Sequence, residues 1–115
     1  MSEHKKSLTM LLYYHGEKDA VVQFAAEMES SGTADAIRAE PGNLQYEYFI
    51  CQKDPQTVLL VDSWTDQEAL DVHHASPMMS KVMELREKYD LHMRAQRLAS
   101  DESGMTEEDR KFMKP

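Results

Sequence analysis

At 115 residues, with 41% hydrophobic and 30% charged side chains, the sequence has room for one domain around a single modest core. Its 21 acidic against 13 basic residues give a net charge of −8, which argues against nucleic acid or an anionic membrane surface as partner. No run approaches a membrane span, no apolar signal region follows Met1-Ser2-Glu3-His4-Lys5-Lys6, and the single Cys51 excludes an internal disulfide, so a cytoplasmic location is expected.

Residues 7–15 (Ser-Leu-Thr-Met-Leu-Leu-Tyr-Tyr-His) predict a first strand, broken by Gly16-Glu17-Lys18-Asp19. Ala20, Val21, Phe24, Ala25 and Met28 then recur at helical spacing, until Ser30-Ser31-Gly32 ends the helix. Thr33 caps a short second helix through about Ala39, stopped before Pro41. Residues 43–52 alternate in part, with Leu44, Tyr46, Tyr48 and Ile50 on one side, and Lys53-Asp54-Pro55-Gln56 turns the chain into residues 57–64. Strand, turn and strand make an antiparallel hairpin that ends at Trp64. Thr65, with Glu68 three residues on, predicts a capped helix carrying His73 and His74. Ser76-Pro77 starts another, with Met79, Val82, Met83 and Arg86 as its inner stripe, running to about Tyr89. Leu91, Met93 and Ala95 alternate with His92, Arg94 and Gln96 as a fourth strand. Residues 99–115 form a polar, acidic tail, read as laid on a neighbouring subunit, in which Thr106 and Asp109 can cap one helical turn.

Strand, helix, strand, strand, helix, strand is the order of an α+β, ferredoxin-like split β-α-β domain over residues 1–98, with a four-stranded antiparallel sheet. Helices cover one face of such a sheet. Yet Leu8, Met10, Leu12 and Tyr14 alternate with Leu11 and Tyr13, and Val58 and Leu60 with Leu59 and Val61. An uncovered apolar face implies a partner, so sheet-on-sheet homodimerisation is expected.

The segments Ala39-Glu40-Pro41-Gly42-Asn43-Leu44-Gln45-Tyr46-Glu47, then Trp64, then Ala69-Leu70-Asp71-Val72-His73-His74-Ala75-Ser76-Pro77 resemble the antibiotic biosynthesis monooxygenase (ABM) family, from about Leu8 to Leu98. The resemblance implies small ferredoxin-like domains that pair sheet to sheet as a dimeric α/β barrel, with a pocket between sheet and helices. It also implies oxidation of a small aromatic or quinol-like substrate by O2, in many members without flavin, metal or haem. Other members resemble haem-degrading enzymes. There a helix histidine one to two turns beyond Ser-Pro is expected to bind iron, and this chain has Met79, Val82 and Met83 instead. Met78 likewise stands where the family motif often has a second histidine after Ser-Pro.

Cofactor-free oxygenation needs a base near neutral pH, donors for the developing negative charge and a dry cavity. His73 is the candidate base or hydrogen-bond donor. Trp64 is the candidate pocket wall, with Tyr46, Arg94 and Met83 as further substrate contacts. Each has a plainer reading: a hydrogen-bonded structural histidine, a core tryptophan, strand tyrosines, and methionines filling core gaps at 78, 79, 83 and 93. His73 and His74 diverge by roughly 100° on a helix, so one faces the cleft and the other solvent, and spacing does not settle which. No Gly-rich phosphate loop, Cys-x-x-Cys pair or His-Glu-x-x-His occurs. A metabolite-binding dimer without catalysis fits the same residues.

Overall fold

A computed structural model describes residues 6–114; residues 1–5, scanned above for a leader, lie outside it. Its elements are β1 (Leu8–His15), α1 (Ala20–Ser30), α2 (Thr33–Arg38), β2 (Asn43–Ile50), β3 (Thr57–Trp64), α3 (Gln67–His74), α4 (Pro77–Lys88), β4 (His92–Ala99) and α5 (Glu107–Arg110). The strands form one antiparallel sheet in the order β2-β3-β1-β4. This is the four-stranded α+β, ferredoxin-like arrangement that the element order implied.

Period-two alternation decides which residues meet the helices. Leu8, Leu12 and Tyr14 of β1 pair with Trp64, Leu60 and Val58 of β3, and all six are buried beneath the helices. Val21, Phe24 and Met28 of α1, Ile37 of α2, Leu70 of α3 and Val82 and Leu85 of α4 fill the layer above them. The register turns Leu11, Tyr13, Leu59 and Val61 to the opposite face, joined by Phe49 of β2, which is exposed. At the sheet edge, every residue of β4 is exposed.

Several local details differ from the sequence reading. The cap of α3 is Asp66, one residue later than Thr65; its Oδ1 accepts the Ala69 N–H at 2.9 Å. Thr65 is taken up elsewhere, its own N–H donating to the Gly42 carbonyl at 2.8 Å, and aspartate is the stronger cap. An irregularity between Asn43 and Gln45 breaks the alternation of β2 and leaves Leu44 exposed, out of line with Tyr46 and Tyr48. Ser76 holds the cap position of α4 before Pro77, but its hydroxyl makes no capping bond. The inner stripe of α4 is Val82 and Leu85. Met83 is 53% exposed and Met93 is also exposed, so neither fills a core gap.

No helix of the described residues is long and apolar enough to cross a membrane.

Candidate active site in the layer between sheet and helices

The turn Glu40-Pro41-Gly42 sets the position of the first functional group. Gly42 has φ +85°, and a Cβ there would lie 2.6 Å from the Ala69 Cβ and 2.8 Å from Thr65 Oγ1. Only glycine lets α3 come this close while adopting that backbone. The approach brings the Glu40 carboxylate to the His73 imidazole, Oε2 to Nδ1 at 2.8 Å. His73 is 3% exposed. Its ring stacks on the Trp64 indole, with centroids 4.6 Å apart and planes 26° from parallel. His74, next along the helix, is exposed, so His73 is the one of the two that is turned inward.

Trp64 is fully buried, and its Nε1–H donates to Asp62 Oδ1 at 2.7 Å. Asp62, two residues back on the same strand, therefore shares the face of the indole. Burial pushes its carboxyl above the ordinary range, against the opposing pull of the Trp64 hydrogen bond and of His73 and His74, while Glu40 adds to the rise. The sign of the linkage follows. Below about pH 4 the carboxyl is protonated in both folded and unfolded chains. As pH rises further, the unfolded chain releases the proton first, so the folded state loses stability until the raised folded value is passed. An Asp62→Asn variant keeps an oxygen for the indole N–H and removes this loss. Its stability relative to wild type, from urea unfolding at stepped pH, is expected to rise from about pH 4 upward. A difference that is flat with pH would show that Asp62 carries no such shift.

A second polar group lies in the same layer. The Tyr46 and Tyr48 hydroxyls are 3.0 Å apart, and the Tyr46 ring centroid is 6.5 Å from that of His73. Arg86 of α4 donates from Nη2 to the Tyr14 hydroxyl at 2.6 Å, with its guanidinium 5.2 Å from the ring centroid. Its Nε is buried with no partner. Phe24 closes the arrangement, with ring centroids 5.1 Å from Tyr14 and 5.9 Å from Tyr48. Burial raises all three tyrosine hydroxyls above their usual range, Tyr14 against the opposing charge and hydrogen bond of Arg86. At neutral pH these phenols keep their protons and act as donors rather than bases.

Tyr14, Phe24 and Trp64 are fully buried in this layer. Three hollows of about 500, 350 and 330 Å3 are lined by other residues: two on the open face of the sheet around Tyr13 and Arg94, one outside α3 beside Gly42 and Val72. Neither His73 nor Trp64 lines any of the three. Among the described residues no group of three or more His, Cys, Asp or Glu side chains is placed to hold a metal ion.

The family model for antibiotic biosynthesis monooxygenases matches residues 9–85. The chain belongs to that family. A solved structure described as an antibiotic biosynthesis monooxygenase is 22% identical and covers 82% of this chain and 96% of its own, with a TM-score of 0.64. A Pseudomonas aeruginosa protein is 21% identical, covers 86% of this chain and 98% of its own, and superposes with a TM-score of 0.70. A conserved Methanosarcina mazei protein is 16% identical, covers 83% and 93%, and reaches 0.71. These likenesses concern the fold. No curated protein matches the chain at a significant level.

Within this ABM fold, the residues singled out from sequence do not all converge. His73, Trp64 and Tyr46 meet in the sheltered layer. Arg94 lies on the open face, its guanidinium 3.8 Å from the Tyr13 ring centroid, on the other side of the sheet from His73. Met83 points away from the layer, and its sulfur accepts from Arg86 Nη1 at 3.4 Å. Glu40, Asp62, Tyr14 and Arg86 had no site role in the sequence reading. Signals for them existed. Asp62 is one strand period before Trp64, Glu40 opens the Glu-Pro-Gly turn, and Arg86 stood on the inner stripe of α4.

Proposed function

We propose that this ABM-family chain binds a small ionised aromatic, of the quinol or phenol class, between its sheet and α4, and oxidises it with O2 without a bound cofactor. The observation that carries the reading is Arg86. A buried donor without a partner costs about 1–3 kcal/mol, and the neighbouring Nη2 of the same guanidinium holds the Tyr14 phenol, with the Tyr46–Tyr48 hydroxyl pair in the same layer. An ionised oxygen of a flat ligand satisfies Nε and the tyrosine hydroxyls together, with aromatic walls for its ring. His73 takes the substrate proton through the nitrogen that Glu40 leaves uncommitted. Met78 and Met79, half-buried against the core, are the adaptable side chains that move to admit the ligand.

The substrate anion supplies the electrons, so no outside reductant is needed. With a hydroquinone that has a free ring carbon, one oxygen atom of O2 replaces that C–H with C–O and the other leaves as water. The product is a hydroxyquinone with two fewer hydrogens than the substrate. Oxygen consumption with a panel of hydroquinones tests this. The wild type is expected to exceed the uncatalysed rate, and His73→Gln to lose most of the excess. Equal rates in both would remove His73 from the chemistry, and no excess in the wild type would remove the oxygenase reading.

The near-complete burial of His73 against Trp64 favours a second reading, a metabolite-binding domain in which the imidazole holds α3 in place. It predicts saturable binding of the same phenols with no oxygen uptake.

The reading includes a homodimer formed through the open face that carries Leu11, Tyr13, Phe49, Leu59 and Val61. Sedimentation velocity is expected to give twice the chain mass of 13.3 kDa at micromolar concentration. A stable monomer would remove the pairing.

A further inference from the structure

Arg86 divides its donors between the buried layer and the surface. Nη2 reaches inward to the Tyr14 hydroxyl at 2.6 Å, while Nη1 donates to the Met83 sulfur at 3.4 Å. Nε, in the same rigid plane, is buried and has no partner. Met83 stands three residues before Arg86 on α4, where side chains share one helix face. Met83 is 53% exposed, whereas Tyr14 is fully buried. The guanidinium therefore links a thioether in water to a phenol in the core. Val82 and Leu85 seat α4 on the sheet face of Tyr14 and Leu60, opposite Tyr13 and Leu59. Pairing through the open face leaves Met83 in water.

A thioether sulfur is a weak acceptor, and oxidation to the sulfoxide makes the same side chain polar, with an oxygen in place of a lone pair. Hydrogen peroxide makes this conversion by transferring one oxygen atom. The O–O bond breaks, an S–O bond forms, sulfur gives up two electrons, and the second oxygen leaves as water. The chemistry proposed above supplies the oxidant. A hydroquinone that passes two hydrogens to O2 without oxygen insertion yields a quinone and hydrogen peroxide. The planar guanidinium moves as one body. An acceptor that holds Nη1 more strongly at the surface draws Nη2 from Tyr14 and Nε from the layer.

We infer that Met83 is an oxidation site whose sulfoxide withdraws Arg86 from the buried layer and so weakens the binding of ionised phenols. The weakening rests on the ligand reading above, whereas the movement of Arg86 is measurable without a ligand. The full chain is treated with graded hydrogen peroxide, and peptide masses report which methionines gain an oxygen. Met83→Leu, treated alongside, keeps every other methionine, the exposed Met93, Met105 and Met113 included. Oxidation is expected to shift the Arg86 Nε–H and Tyr14 ring resonances in the wild type and to leave them in place in Met83→Leu. The wild-type dissociation constant for hydroquinone, measured anaerobically, is expected to rise about 10-fold, as loss of one charge-assisted hydrogen bond does. Methionine sulfoxide reductases are expected to restore it. Arg86 resonances that stay in place once Met83 carries oxygen would overturn the site. So would equal shifts in Met83→Leu, or a Met83 that stays unoxidised while Met105 and Met113 react. A dissociation constant that is unchanged or lowered would overturn the weakening. An untreated chain that binds no hydroquinone would overturn the ligand reading and the weakening with it, while the Arg86 shift still decides the oxidation site.

Discussion

Trp64→Ala is expected to destabilise the domain by roughly 3–5 kcal/mol, the usual cost of deleting a large buried aromatic. Two losses combine. The indole is fully buried at the end of β3, so its removal leaves a cavity against the His73 ring that stacks on it at 4.6 Å. The Asp62 carboxylate also loses the donor that holds it at 2.7 Å, and an unpaired buried acceptor costs about 1–3 kcal/mol by itself. Trp64→Phe separates the two by keeping most of the volume and removing only the N–H. Because Trp64 is the chain's one tryptophan, unfolding in urea is best followed by circular dichroism. A loss below about 1 kcal/mol in Trp64→Ala would mean that the cluster does not hold α3 to the sheet.

Arg86→Met is expected to cut kcat/KM for quinols, or affinity if binding alone occurs, by about 100-fold, as loss of an oxyanion donor does. Methionine keeps the stem volume in α4 and removes every donor. The effect is tied to charge. The wild type is expected to discriminate strongly between a hydroquinone and its dimethyl ether, which cannot ionise, and the variant to treat them alike. A modest stability loss accompanies it, about 1 kcal/mol, because the Tyr14 hydroxyl loses the bond it receives at 2.6 Å. Unchanged discrimination in Arg86→Met would place the ionised oxygen elsewhere.

The strands, the helices and their order were legible because period-two and three-to-four spacing record which side of each element is buried. Tyr14, Val58 and Trp64 on one face and Tyr13, Leu59 and Val61 on the other follow from alternation alone. What spacing cannot record is contact between distant elements. That Glu40 reaches His73 depends on Gly42 letting α3 close on the turn, and that Arg86 reaches Tyr14 depends on how α4 crosses β1. Arg94 misled for a related reason. Its residue type suits anion binding, but its place in β4 puts it on the face without helices. Met83 matched the helical stripe by one count and lost its place to Leu85, which the actual angle of α4 turns inward. Beneath the imidazole, where a cavity was expected, the Trp64 indole stacks on the ring, and neither residue lines any of the hollows described above.

Whether that layer admits a ligand can be read directly from the methionine methyl resonances of the full chain, titrated with a small hydroquinone under anaerobic conditions. The account predicts saturable shifts of the Met78 and Met79 methyls and of the Trp64 indole N–H, lost in Arg86→Met. Shifts confined to Met93 and the open face of the sheet, or none at all, would contradict it.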